Sequence, residues 1–239
     1  GDLGRPDDSI MYPPASPPAA DTVLIESTYG DRQHPPDNLL EELGTALHRL
    51  VERGGVAVIP VFAVGRAQAV LHAIAQLKIN GSLPKGLPVF LDSPMAVHTT
   101  HLFEKHIGDH RLSPHDAHAL TRGATMVNST DESKALASRH GPMVILSASG
   151  MATGGRVLHH LEHHLGKKRN MVILTGYQAP GTRGATLASG SETLRLHGRD
   201  IAVHAEVVQL QSASAHADAG QLLDWLRSMP SRPDQVYVV

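Results

Sequence analysis

Seven short runs of β-branched and aliphatic residues, with helical-period stripes between most of them, constrain this chain's fold more than any other feature. The runs are TVLIEST (22–28), VAVIPVF (56–62), PVFLD (88–92), MVILSAS (143–149), MVILTGY (171–177), IAVHAEVVQL (201–210) and QVYVV (235–239). Leu39, Leu40, Leu43, Leu47, Leu50 and Val51 keep the helical period up to Gly54-Gly55. Val70, Leu71, Ile74 and Leu77 do the same before Gly81, and Leu222, Leu223 and Leu226 form a third stripe. Strands that alternate with helices are joined by crossovers, so the pattern predicts an α/β fold with a mostly parallel sheet flanked by helices. The Pro-rich segment YPPASPPAA (12–20) reads as a loop.

A chain of 239 residues, 41% hydrophobic and 18% charged, suits one α/β domain or one domain carrying an insertion. Only 3% of it is aromatic, so Val, Leu, Ile, Ala and Met must build the core. The formal net charge is -2, and affinity for a polyanion would have to come from local basic groups. Cysteine is absent, which excludes disulfides, thiolate zinc and cysteine nucleophiles; any metal needs His, Asp or Glu. No apolar run approaches the roughly 20 residues of a membrane span, and no signal peptide opens the chain, so a soluble, cytoplasmic protein is expected. Gly1 at the start and the apolar run at the end lead us to expect a fragment of something longer.

Several stretches carry polar groups suited to chemistry. VLHHLEHHLG (157–166) contains H-x-x-E-H from His159 to His163, the inverted zincin pattern. Val157, Leu158, Leu161 and Leu165 make its apolar face, so the histidines are expected on the flanks and back, as a solvated face rather than a metal site. SASGMATGGR (147–156) is a small-residue turn between a strand and that helix, where free amides such as those of Ser149 and Gly150 could meet an anion. GYQAPGTRGATLASG (176–190) follows another strand and offers Thr182 and Arg183 to a phosphodiester. ESTYGDR (26–32) places Glu26 at the C-terminal end of a strand, where ligands gather in open α/β sheets. SASAHAD (212–218) puts His216 at a strand-to-helix junction with Asp218 as an N-cap, and GDLGR offers Asp2 as a metal carboxylate or a turn former.

Taken in order, GDLGR, ESTYGDR, IPVFAVGRAQAVL, FLDSPMA, SASGMATGGRVLHHLEH, VILTGYQAPGTRGATL and SASAHAD resemble the β-CASP ribonucleases of the metallo-β-lactamase fold, the group that includes RNase J and the pre-mRNA 3′-end cleavage endonuclease. The resemblance runs collinearly along nearly the whole chain, with 101–142 carrying no recognisable motif. It implies a β-CASP domain (31–213) inserted in a partial metallo-β-lactamase αββα fold (1–30 and 214–239). It further implies a zinc-dependent RNA phosphodiester hydrolase with two zinc ions. In that scheme Asp2 bridges the metals, and His216 protonates the leaving oxygen while Glu26 orients it. Single-stranded RNA would be gripped by Arg66, Ser149, Gly150, Arg156, Thr182 and Arg183. No membrane partner is implied, and homodimerisation is left open.

The family's H-x-H-x-D-H cluster and a further ligand histidine would lie before Gly1, and its motif C histidine after Val239. The fragment alone is therefore expected to be inactive. Three alternatives stand beside this reading: a DNA-directed relative, a non-catalytic RNA-binding scaffold paralogue, and a small-molecule metallohydrolase. Whether cleavage is endo- or exonucleolytic does not follow from these residues.

Overall fold

A computed structural model describes residues 1–35 and 38–239 of the chain. In chain order the first half runs β1 (Thr22–Ile25), α1 (Leu39–Glu52), β2 (Val56–Pro60), α2 (Arg66–Ile79), β3 (Val89–Asp92), α3 (Pro94–Lys105), α4 (Pro114–Arg122), β4 (Thr125–Met126) and α5 (Thr130–Ala137). The second half runs β5 (Met143–Ser147), α6 (Val157–His164), β6 (Met171–Thr175), α7 (Arg183–Ala188), β7 (Thr193–Leu196), β8 (Arg199–Ala202), β9 (Glu206–Leu210), α8 (Ala219–Arg227) and β10 (Gln235–Val238).

The central sheet has six strands in the order β4-β3-β5-β2-β6-β9, and every pairing in it is parallel. This is the architecture that the strand and helix alternation predicts. Side chains alternate across a strand, and here the alternation divides the core in two. Ala57, Ile59, Val144, Leu146, Met171 and Ile173 face one cluster, built with Leu43, Leu47 and Leu50 of α1 and Val70 and Ile74 of α2. Val56, Val58, Met143, Ile145, Val172 and Leu174 face the other, with Val157, Leu158 and Leu161 of α6. Both faces of β2, β5 and β6 are buried, which explains why these runs read as continuously apolar.

Local signals set the helix ends. Asn38 caps α1 by accepting from the Glu41 amide, Glu41 and Glu42 sit in the first turn and Arg49 in the last, all favourable to the helix dipole. Gly54 leaves the helix at φ 61°, and a Cβ on Gly55 would lie 1.9 Å from the Arg169 carbonyl oxygen, so the pair both turns the chain and lets β2 enter.

Two expectations need correction or completion. IAVHAEVVQL is two strands, since β8 pairs antiparallel with β7 in a hairpin while β9 joins the central sheet. The Val203 amide still follows the hairpin register onto the Glu192 carbonyl, and the break falls where the amides of His204 and Ala205 turn away to the Leu165 carbonyl. The 101–142 region, silent in motifs, forms the rest of α3, then α4, the edge strand β4 and α5. Segment 12–20 contains no strand.

A separate two-stranded parallel sheet pairs β1 with β10. Val23, Ile25, Ala217 and Leu222 form a small core of their own there, with Trp225 and Leu226 packed on it. No described helix is long and apolar enough to cross a membrane.

Candidate functional site

The two chain regions flanking the central sheet meet at one place. Gly4 bridges antiparallel to His216, and Tyr29 bridges in parallel to Asp218. The Ala217 amide donates to the Leu3 carbonyl at 2.8 Å and the Arg5 amide to the Ala215 carbonyl at 3.1 Å. These backbone bonds bring Asp2, Glu26 and His216 together, with one ligand atom from each lying within 4.8 Å of the others.

Glu26 follows β1 directly and is 8% exposed. Its carboxylate accepts from the Leu3 amide at 2.6 Å, from the Thr28 amide at 3.4 Å, and from His216 Nδ1, which stands 3.0 Å from both oxygens. Burial raises the carboxyl pKa, but the hydrogen bonds from Thr28, His216 and Leu3 outweigh it and hold the group below the ordinary carboxylate range. With Nδ1–H assigned to Glu26, Nε2 is the free nitrogen of the half-buried ring. Asp2 is exposed, and its carboxylate accepts no hydrogen bond among the described residues.

The backbone of His216 is clamped from two sides. Its amide donates to Ser214 Oγ at 3.1 Å, and its carbonyl takes His34 Nε2 at 2.8 Å. His34 is fixed in turn by its own amide on Asp218 Oδ2 at 2.9 Å, while Asp218 caps α8 in a capping box with Gln221. Tyr29 is buried, with its ring 4.9 Å from that of His34 and 6.4 Å from that of His216, and its hydroxyl accepts the Tyr177 amide at 2.9 Å. Sequence reasoning passed over Tyr29, His34 and Ser214. Tyr29 and Ser214 stand inside the quoted motifs, and His34 lies two residues beyond one.

The anion candidates gather at the C-terminal edge of the central sheet. Arg66 opens α2, and its guanidinium makes no hydrogen bond among the described residues, with Nε buried. Burial lowers its pKa to about 10, so it stays cationic at neutral pH. It lines a cavity of about 320 Å³ together with Arg5, Asp8, Ser212 and Ser214. The turn after β5 touches the Arg66 loop through Gly150, where a Cβ would meet the Phe62 ring at 2.8 Å, so only glycine fits. Ser149 turns its hydroxyl back onto Thr153, at 2.9 Å, and organises the turn from within. Thr182 caps α7 by accepting from the Ala185 amide. Arg183 donates through Nε to the Arg195 carbonyl and through Nη1 to that of Thr153, leaving Nη2 uncommitted among the described residues. Thr182 and Arg183 together line an open groove of about 620 Å³.

Arg156 departs from its expected role. Its guanidinium pairs through Nη1 with the buried Asp92 at 2.8 Å and donates to the carbonyls of Val127 and Asn128, so both terminal nitrogens are engaged inside the protein and it is not an open phosphate grip. The histidine-rich helix also differs from a solvated face. His160 and His164 are buried, with His160 Nε2 on Asp92 at 2.6 Å, whereas His159 and His163 are exposed. Spaced at i, i+4 and interleaved with leucines, they share the inner face with Leu161 and Leu165, which hydropathy alone does not reveal.

Comparison with known proteins bears on the family of the chain. A β-CASP domain model matches residues 67–187, half of the chain, and a model described as a Zn-dependent metallo-hydrolase RNA specificity domain matches 200–239. A ribonuclease of Thermus thermophilus is 38% identical over 96% of this chain and 54% of its own length. An RNase J-like protein of Methanocaldococcus jannaschii is 32% identical over 92% of this chain and 51% of its own. The transcription termination factor FttA of Methanosarcina mazei is 30% identical over 92% of this chain and 37% of its own. The chain thus spans about half the length, or less, of the curated relatives it matches. Its parallel sheet, its joined acid and histidine and its matched models lead to one conclusion: the chain belongs to the β-CASP family of metallo-hydrolases.

Proposed function

We propose that this chain supplies the RNA-facing wall and the acid–histidine pair of a zinc-dependent ribonuclease that hydrolyses phosphodiesters in single-stranded RNA in the cytoplasm. The observation that carries the reading is Glu26 held below the carboxylate range with both oxygens 3.0 Å from His216 Nδ1. In the proposed division, 31–213 is the inserted β-CASP domain, and 1–30 with 214–239 belong to the metallo-β-lactamase part. The separate β1–β10 sheet and its own small core support that division.

Glu26 spends its lone pairs on Leu3, Thr28 and His216, which leaves Asp2 as the carboxylate free to ligate a metal. An exposed oxygen donor without a hydrogen-bond partner fits a divalent ion, and Asp2 is the ligand this chain contributes to the two zinc ions of the proposed enzyme. When bound, such ions supply Lewis-acid stabilisation of negative charge on the phosphodiester. As a water oxygen bonds to phosphorus and the P–O bond to the ribose breaks, His216 delivers a proton from Nε2 to the departing ribose oxygen. Glu26 fixes the ring orientation and compensates its positive charge, while Ser214 and His34 hold its backbone still. Arg66, unpaired at the sheet edge, and Arg183 contact RNA phosphates, with the turn at Ser149 and Gly150 and the Thr182 cap shaping the surface between them.

The test is His216→Ala in the full-length enzyme, measured against a labelled single-stranded RNA. The cleavage rate should fall at least a hundredfold, the usual worth of a positioned acid, with Kd changed less than threefold. Equal losses in rate and affinity would remove the acid role. Wild-type protein that binds RNA without cutting it would be a non-catalytic RNA-binding paralogue instead.

A further inference from the structure

We propose that His159, Glu162 and His197 form a second metal site, specific for zinc-class ions, where the β7–β8 hairpin lies over α6. Two groups of three or more metal-competent side chains converge among the described residues, and this is the one away from the Glu26–His216 pair. Its ligand atoms all lie within 4.8 Å of one another. His159 and Glu162 are i, i+3 neighbours, so they share one face of the helix. The third member arrives from a remote part of the chain: Glu162 Oε2 is 4.0 Å from His197 Nε2, and the His159 and His197 rings lie 4.7 Å apart at 18°.

His197 is held in place by an unusual backbone. It and Gly198 form the two-residue connection between β7 and β8, with φ of 47° and 80°. Both positions of such a turn need positive φ, which Gly adopts freely and Asn, Asp and His adopt more readily than other side chains. The turn holds its imidazole over a helix that already offers an imidazole and a carboxylate. The Arg199 guanidinium pairs with Glu162 Oε1, which orients the carboxylate and leaves Oε2 on the His197 side. Hydrogen bonding of this kind to a ligand's second atom is the usual support of a metal site.

The donor set decides the ion. Two imidazoles and one carboxylate favour zinc and its neighbours over calcium or magnesium, which take oxygen ligands. Bonds of about 2.0–2.1 Å at tetrahedral angles place ligand atoms roughly 3.3 Å apart. The cluster must therefore contract, and because imidazole lone pairs lie in the ring plane, the stacked rings must turn out of parallel to converge. Binding would fasten the hairpin to α6 and give those two rings a shared signature. His163, the second histidine of the H-x-x-E-H pattern, is outside the cluster, with Nδ1 on the His159 carbonyl at 2.8 Å.

Buffered zinc is titrated into the chain while the His159 and His197 ring resonances are followed by NMR, in wild type, His197→Asn, Glu162→Gln and His163→Ala. Asparagine keeps a residue suited to the left-handed turn, so loss of binding in His197→Asn cannot be put down to a broken hairpin, and circular dichroism checks each fold. Both ring signals should move together with the first equivalent of zinc, His197→Asn and Glu162→Gln should bind at least tenfold more weakly, and His163→Ala should match wild type. Rings that do not respond together, a loss below tenfold in either ligand variant, or an equal loss in His163→Ala overturns the site.

Discussion

His164 is buried on α6, its Nε2 has no hydrogen-bond partner among the described residues, and burial, helped by the nearby His160 and Lys167, pushes its pKa down to about 3. An unfolded histidine titrates near pH 6.5, so on acidification the unfolded chain takes up this proton first. The sign follows: the contribution is complete above about pH 6.5 and is lost as pH falls from there towards 3. At about 1.4 kcal/mol per pH unit, moving from pH 6.5 to 5 should cost about 2 kcal/mol through this residue alone. Urea denaturation at both pH values should show that loss in wild type and a markedly flatter dependence in His164→Leu. The sequence displays four histidines in ten residues but not which of them face inward, because ring direction depends on what packs against α6. Glu26 and His216 were legible for a different reason, since Glu26 stands at the end of a strand-like run and His216 at a strand-to-helix junction, and the resemblance assigned them their roles.

At the scale of elements, one buried carboxylate ties three of them together. Asp92, at the end of β3, is fully buried and accepts from Ser133 Oγ of α5 at 2.5 Å, His160 Nε2 of α6 at 2.6 Å and Arg156 Nη1 at 2.8 Å. Burial raises its pKa, and the bonds from His160, Ser133 and Arg156 override that and lower it. Asp92→Ala would strand a guanidinium and an imidazole, which should destabilise the fold by about 3–5 kcal/mol in urea titration, against about 1 kcal/mol for Ser133→Ala. The strands of the central sheet other than the short edge strand β4, and the helices α1, α2 and α8, could be read from periodicity because their partners are regular layers. The capture of Arg156 by Asp92, 64 residues away, could not, since a lone aspartate after an apolar run looks the same whether it faces water or a buried cation. The division of 201–210 was hidden similarly, as β8 and β9 use one alphabet and only the crossing under the end of α6 separates them.

Across the whole molecule, a net charge of -2 means that the proposed affinity for RNA must come from the few cations at one edge of the sheet. Beside the Glu26–His216 pair, Asp2 is the one free metal-ligating carboxylate among the described residues, with Glu26 committed to His216, Leu3 and Thr28. The 239-residue chain supplied with zinc should therefore leave RNA uncut over a time in which the full-length enzyme goes to completion, and cutting by the chain alone would mean that its own donors suffice. The expected class of sheet was readable from the sequence pattern at this scale, whereas the meeting of residues 2–5 with 214–218 was implied by the resemblance alone, being a matter of three-dimensional closure. That closure also sets an order of events during synthesis. Glu26 leaves the ribosome 190 residues before the ring it holds, a delay of about 10–40 s at ordinary translation rates of roughly 5–20 residues per second. Throughout that interval the growing chain has an acid with no imidazole to orient, so the acid–histidine pair is among the last features of the chain that synthesis can complete.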